Sequence, residues 1–187
     1  PYGTVTAGIA KPRDCDTLII ESTYGKPGQN LPNRNEVLKD LQAWIEVTSS
    51  NGGGIVGAYS LGKAQEVIAT ANNGGVVPAV SEIVASVSDV YKKHGVPLEY
   101  VPYTELDEKD KKKPGLLVTS TTATSGRRSD TVVKDLRKKG AKGARVSGGC
   151  AFASWAMRGV DAGFPLSDHS DFGGTLKFIE ECAPKQV

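Results

Sequence analysis

Histidine is the scarcest chemistry-bearing residue in this chain. There are two, His94 and His169, far apart in sequence. A zinc centre built from several imidazole and carboxylate ligands needs more than that from converging loops, so the chain does not supply one by itself. Cysteine is hardly richer: Cys15, Cys150 and Cys182 are scattered, with no C-x-x-C spacing. Two of them could pair, but isolated thiols in a chain with no visible signal peptide read as buried and reduced, which points to the cytoplasm. No apolar run approaches a membrane span. A strong charge of one sign is also lacking: the formal net charge is +2, too small to argue for nucleic acid by itself. The chain opens at Pro1 without Met, as a trimmed or processed piece would.

What is present is a sizeable apolar fraction, 39%, enough for a core, arranged as alternating short strands and helices. Thr17–Glu21 has strand length and is closed by Gly25-Lys26-Pro27-Gly28. A helix is expected from about Asn33 to Val47, and Val37, Leu38, Leu41, Trp44, Ile45 and Thr48 follow helical spacing. Ile55–Tyr59 reads as a second strand and Ala64–Asn72 as a second helix. Val80, Ile83, Val84, Val87, Val90 and Tyr91 mark a third helix, ending at His94-Gly95. Leu98–Tyr103 is an edge strand, because Pro97 and Pro102 would spoil a central one. Glu105–Lys113 is a solvated loop or short helix. Leu116–Ser120 is a strand, Ser129–Lys139 a helix capped by Ser129, and Ala144–Ser147 opens another strand. Ser170 or Asp171 can cap a last helix that turns Phe172, Leu176, Ile179 and Cys182 inward. The alternation predicts an α/β fold, a largely parallel sheet with helices on both faces.

Two motifs stand at the ends of the chain. Asp16-Thr17-Leu18-Ile19-Ile20-Glu21-Ser22-Thr23-Tyr24-Gly25 delivers Glu21 after an apolar run, and Gly163-Phe164-Pro165-Leu166-Ser167-Asp168-His169-Ser170-Asp171 delivers Asp168 and His169. A carboxylate beside an imidazole is an acid/base pairing, since the carboxylate orients the ring and keeps it protonated. Together with Tyr59-Ser60-Leu61-Gly62-Lys63-Ala64-Gln65-Glu66, and with Trp155 to Gly159 ahead of "GFPLSDHSDF", these motifs resemble the β-CASP branch of the metallo-β-lactamase superfamily, metal-dependent nucleases of RNA or DNA. The resemblance implies a Rossmann-like β-CASP cassette over residues 26–145. Residues 1–25 and 146–187 would then be pieces of the metallo-β-lactamase αββα domain.

The resemblance also implies roles. Glu21 and His169 would be the first two signature residues, with His169 protonating the leaving oxygen and Asp168 beside it. Two zinc ions would be held by a His-x-His-x-Asp-His loop, a further histidine and a bridging aspartate, none of them in this chain. That loop is expected upstream of Pro1, and the third signature residue beyond Val187. The expectation is therefore a fragment, inert alone, of a cytoplasmic nuclease that processes RNA, with homodimerisation open. The alternatives are a ligase-associated DNA exonuclease and a nonenzymatic nucleic-acid-binding module that keeps the scaffold.

Other residues suit a nucleic-acid substrate. Gly57 to Ala64 nearly satisfies the P-loop pattern, but Ala64 stands where Ser or Thr would hold magnesium, which argues against nucleotide hydrolysis. Lys63 at that helix start could still meet a phosphate, or it could be an exposed lysine in a tight turn. Thr119–Arg128 follows a strand and offers Ser120, Thr121, Arg127 and Arg128 to a phosphodiester backbone, or forms a polar crossover loop. Arg137-Lys138-Lys139 through Lys142 and Arg145 is a second basic cluster, either phosphate-binding or a solvated face. Trp155 and Arg158 could stack on and pair with a nucleotide, or be a packed tryptophan and a solvated arginine. His94 reads as a helix-end cation, and Asp171 suits capping better than orienting His169.

Overall fold

The structure, a computed structural model, describes residues 8, 10–125 and 130–187. The first helix, α1 (Arg34–Ser50), starts where Asn33 accepts hydrogen bonds from the amides of Asn35 and Glu36. Its inward stripe is Val37, Leu41, Ile45 and Thr48, with Leu38 and Trp44 half-buried against the same core. Burying Leu41 and Ile45 completely contributes roughly 1.5–3 kcal/mol each. The chain then alternates: β1 (Gly54–Ala58), α2 (Lys63–Asn73), β2 (Ala79–Val80), α3 (Glu82–Lys93), β3 (Val101–Pro102), α4 (Glu108–Lys112), β4 (Leu116–Ser120), α5 (Thr131–Lys138), β5 (Lys142–Val146), β6 (Ala162–Phe164) and α6 (Phe172–Cys182).

The six strands form one all-parallel sheet in the order β3-β2-β4-β1-β5-β6. Strand alternation sorts the core into two layers. Val56, Ala58, Leu116 and Val118 face α1, α2 and α3, whereas Ile55 and Leu117 face Val133 and Leu136 of α5. Every residue of β1 is buried, as expected of a central strand covered on both faces. The connection leaving β1 runs toward β2 on one side, and the one leaving β4 runs toward β5 on the other. These adjacent central strands thus form a switch point, and a crevice opens beyond their carboxyl ends.

Several sequence expectations need correction. Thr17–Glu21 is not a strand: Thr17 makes one isolated bridge, to Gln186, and Ile19 is 96% exposed, so no sheet covers the run. The flanking backbone instead ties the two ends of the chain together, through Leu18 N–H to the Gln186 carbonyl (2.9 Å) and Lys185 N–H to the Asp16 carbonyl (3.0 Å). Val80 belongs to β2, a strand too short to show periodicity, and α3 leaves Ile83 and Val90 about half exposed while burying Val84, Ala85 and Ser88. Asp130, whose side chain accepts from Val132 N–H, caps α5; the expected cap, Ser129, lies outside the described residues. In α6 it is Thr175 and Cys182 that are buried, and Leu176 is exposed. The edge position of β3, the short helix α4 and the strand β4 are as expected. The three cysteines are free thiols.

Asp171 caps α6 through Gly174 N–H (2.8 Å), and its other oxygen accepts Leu31 N–H (3.1 Å). One carboxylate therefore joins the helix start to the segment leading into α1. Asp171→Ala should destabilise the fold by about 1–2 kcal/mol in urea titration. Asp171→Asn, which keeps one acceptor, should recover part of that loss.

Candidate active site and adjoining cleft

Glu21 and His169 come together. The imidazole Nδ1 lies 3.3 Å from Glu21 Oε2 and 3.3 Å from Thr23 Oγ1, and the same carboxylate oxygen accepts Thr23 N–H at 2.8 Å. A carboxylate only accepts, so a ring with its proton on Nδ1 suits this contact, an arrangement that leaves Nε2 for a reacting group. Burial pushes the Glu21 carboxyl up, but the Thr23 amide and hydroxyl together with His169 outweigh it and hold Glu21 below the usual carboxylate range. Both side chains are about half exposed, within reach of a substrate. The Tyr24 ring meets the His169 ring edge-on at 6.1 Å, and His169 N–H donates to Ser167 Oγ (3.0 Å).

The segment carrying His169 is braced by two ion pairs. Lys63 Nζ contacts Asp168 Oδ2 at 2.7 Å, with the lysine side chain 5% exposed. Arg34 pairs with the fully buried Glu66, and its other nitrogen donates to the Ser167 carbonyl (3.0 Å). Desolvation raises the Glu66 carboxyl above its ordinary value, with Arg34 pulling the other way. Gly62, at the start of α2, has φ +82°, and a Cβ there would stand 3.2 Å from Asp168 Oδ2. Gln65 accepts Gly62 N–H (2.8 Å) and donates to Ser88 Oγ (2.9 Å), joining α2 to α3.

The expected site residues Lys63 and Asp168 thus meet each other, and Lys63 is a buried lysine rather than an exposed one in a tight turn. The side chains in contact with the His169 ring nitrogen are Glu21 and Thr23.

Beyond the carboxyl ends of β1, β4 and β5 lies an open cleft of about 660 Å³. Its hydroxyls come from Tyr59, Thr121, Ser125 and Ser147, and Arg145, Trp155 and Arg158 complete it. Thr121, Trp155 and Arg158 were expected at a substrate surface, and the cleft brings them together. Ser120 instead serves its own turn, through Thr122 Oγ1 (2.9 Å) and Ala123 N–H (3.3 Å). Arg127 and Arg128 lie outside the described residues. The second basic cluster is not one face: Arg137 pairs with Asp161, Lys138 with Asp135, and Arg145 is buried. His94 ends α3 as an exposed cap residue.

A shared turn connects the cleft to the acid/base pair. Ser147 lines the cleft, and the 3-10 turn Gly148–Ala151 follows it. A Cβ on Gly148 would fall 2.3 Å from the Tyr24 hydroxyl oxygen, so only glycine lets that ring approach. Sequence reasoning missed Thr23, Tyr24, Arg34, Tyr59, Ser125 and Ser147. The usable signal was Glu66, a carboxylate directly before the apolar residues Val67, Ile68 and Ala69, which calls for a cationic partner if that segment is buried.

Among the described residues no three His, Cys, Asp or Glu side chains are grouped to hold a metal ion. One imidazole and one carboxylate fall short of the four donors that tetrahedral zinc takes. Zinc does not fit these residues. No described helix is long and apolar enough to cross a membrane.

No protein-family model matches the chain. It is 28% identical over 180 residues, 92% of its length, to 16% of a probable DNA ligase from Opitutus terrae. It is 41% identical over 61 residues, 32% of the chain, to 14% of an RNase J-like protein from Methanocaldococcus jannaschii. It is 45% identical over 56 residues, 29% of the chain, to 11% of the RNase aCSPSF2 of Saccharolobus solfataricus. The chain thus spans about a sixth or less of the length of these relatives. Two of these relatives carry RNase in their names, and the one matched over most of the chain is a probable DNA ligase.

Proposed function

We propose that the chain is the β-CASP portion of a nuclease that hydrolyses phosphodiester bonds, with RNA as its substrate. The observation that carries this reading is the meeting of Glu21 Oε2 and His169 Nδ1 at 3.3 Å, two groups delivered by opposite ends of the chain. In the reaction a water oxygen bonds to phosphorus and gives up a proton to solvent, the bond to the leaving oxygen breaks, and His169 gives that oxygen a proton from Nε2. Glu21 offsets the imidazolium charge and fixes which nitrogen faces the substrate. Solvent then returns the proton. The two zinc ions of the resemblance would have to be held by residues other than those described, so the chain alone is proposed to be inert.

RNA is favoured because two relatives carry RNase in their names. A second reading, DNA, has its own support: the match covering 92% of the chain is to a probable DNA ligase. The test is a cleavage assay with end-labelled single-stranded RNA and DNA of one sequence, with zinc or manganese added. It would compare this chain with the longest natural form of the protein containing it. Cleavage of RNA by the longer form only is the expected result. Preference for DNA selects the second reading, and binding of both strands without cleavage rejects the enzyme reading.

A further inference from the structure

Arg145 stands out among the buried charges of this protein. Lys63 is matched by Asp168 and Glu66 by Arg34. Arg145, 5% exposed on β5, has no carboxylate partner among the described residues. Its Nη1 donates to the Ala156 carbonyl (2.9 Å), its Nη2 to Ser125 Oγ (3.2 Å), and its Nε is buried without a partner. A guanidinium taken out of water with no counter-charge is costly, and the fold retains it at the wall of this cleft.

The surroundings supply the rest of an anion site. Arg158 and the hydroxyls of Thr121, Ser125 and Ser147 line the same cleft, so donors converge on it from the turns after β4 and β5. Trp155, 56% exposed, lines the same cleft, with its ring 3.5 Å from where a Cβ on Gly149 would be. The volume, about 660 Å³, falls within the range of small-ligand sites, and the place, beyond the carboxyl ends of strands at a switch point, is where α/β sheets bind them.

We infer that this cleft is a nucleotide subsite separate from the Glu21–His169 pair, with Arg145 and Arg158 taking a phosphate and Trp155 stacking on the base. The phosphate belongs either to a strand or to a free mononucleotide. The inference deepens the nuclease reading, but it concerns binding alone, so it can hold where cleavage fails and fail where cleavage holds.

The test is titration of the purified chain with inorganic phosphate, adenosine 5′-monophosphate and an unphosphorylated pentauridylate, read by tryptophan fluorescence and by Tm. Trp44 is packed in the core and serves as the constant background. Both nucleotide probes should quench fluorescence, and inorganic phosphate should raise Tm without quenching. Tighter binding of the pentanucleotide assigns the phosphate to a strand; tighter binding of the monophosphate assigns it to a free nucleotide. Arg145→Met and Arg158→Ala should each weaken binding roughly tenfold to a hundredfold. Trp155→Ala should lose a similar factor for the nucleotides and nothing for phosphate. Arg158 and Trp155 are exposed, so those variants decide the question even if Arg145→Met does not fold. Failure of all three probes to bind at millimolar concentration overturns the inference, as does unchanged affinity in the Arg158→Ala and Trp155→Ala chains.

Discussion

Arg34→Ala is expected to lower stability by about 3–5 kcal/mol, a fall in Tm of roughly 6–20 °C for a chain of this size. The reason is Glu66, whose side chain is 1% exposed and whose second carboxyl oxygen has no partner even with Arg34 in place. Removing the guanidinium leaves that carboxylate to be ionised alone in the core or protonated. The pH dependence gives the mechanism a signature. Desolvation already holds the Glu66 carboxyl above its ordinary value of 4.5, against the pull of Arg34. The native state therefore binds this proton more readily than the unfolded chain. Its contribution to stability is complete below the ordinary value and is lost as pH rises through the native one. Without Arg34 the native value moves higher still, so the deficit of the variant should grow from pH 5 to pH 8. Urea titrations at both pH values check this; an equal deficit at both would assign the loss to packing. Arg34→Met with Glu66→Leu should recover most of the stability, because both charges go together. It should not restore the anchor on the Ser167 carbonyl, which only Arg34 provides.

His169→Ala in the longest natural form of the protein should reduce phosphodiester cleavage by roughly a hundredfold to ten-thousandfold while leaving substrate affinity nearly unchanged. The ring is about half exposed and braces nothing in the core, so stability should hardly move. Glu21→Gln should act in the same direction through the turnover number, since it removes the charge facing Nδ1 and leaves the Thr23 hydroxyl in place. Glu21 is held below the usual carboxylate range, so it stays ionised through mildly acidic conditions, and an acidic limb above pH 4.5 would have another source. His94→Ala, at the exposed end of α3, is the control and should cleave as the parent does. Retained cleavage in His169→Ala would remove the imidazole from the chemistry.

Much of the architecture was legible because it follows from local rules. The stripe of α1, the strand Leu116–Ser120, the edge placement of the proline-flanked strand and the parallel sheet rest on periodicity and on proline's missing donor. The failures share one cause. Thr17–Glu21 has the composition of a strand, but a strand is made by its partner, and only Thr17 finds one, at Gln186. Ile83 and Val90 obey helical spacing, but α3 packs through Val84, Ala85 and Ser88. Side-chain chemistry and family resemblance singled out Glu21 and His169, and the sequence alone showed that two histidines cannot build a multi-imidazole metal centre. Only the tertiary structure decided what those groups touch. It gave Asp168 to Lys63 and Glu21 to His169, and it left Arg145 buried without a counter-charge among the described residues, in the cleft that Trp155 also lines. Charge pairing depends on distances of a few ångströms between residues far apart in the chain, and spacing along the sequence does not encode those distances.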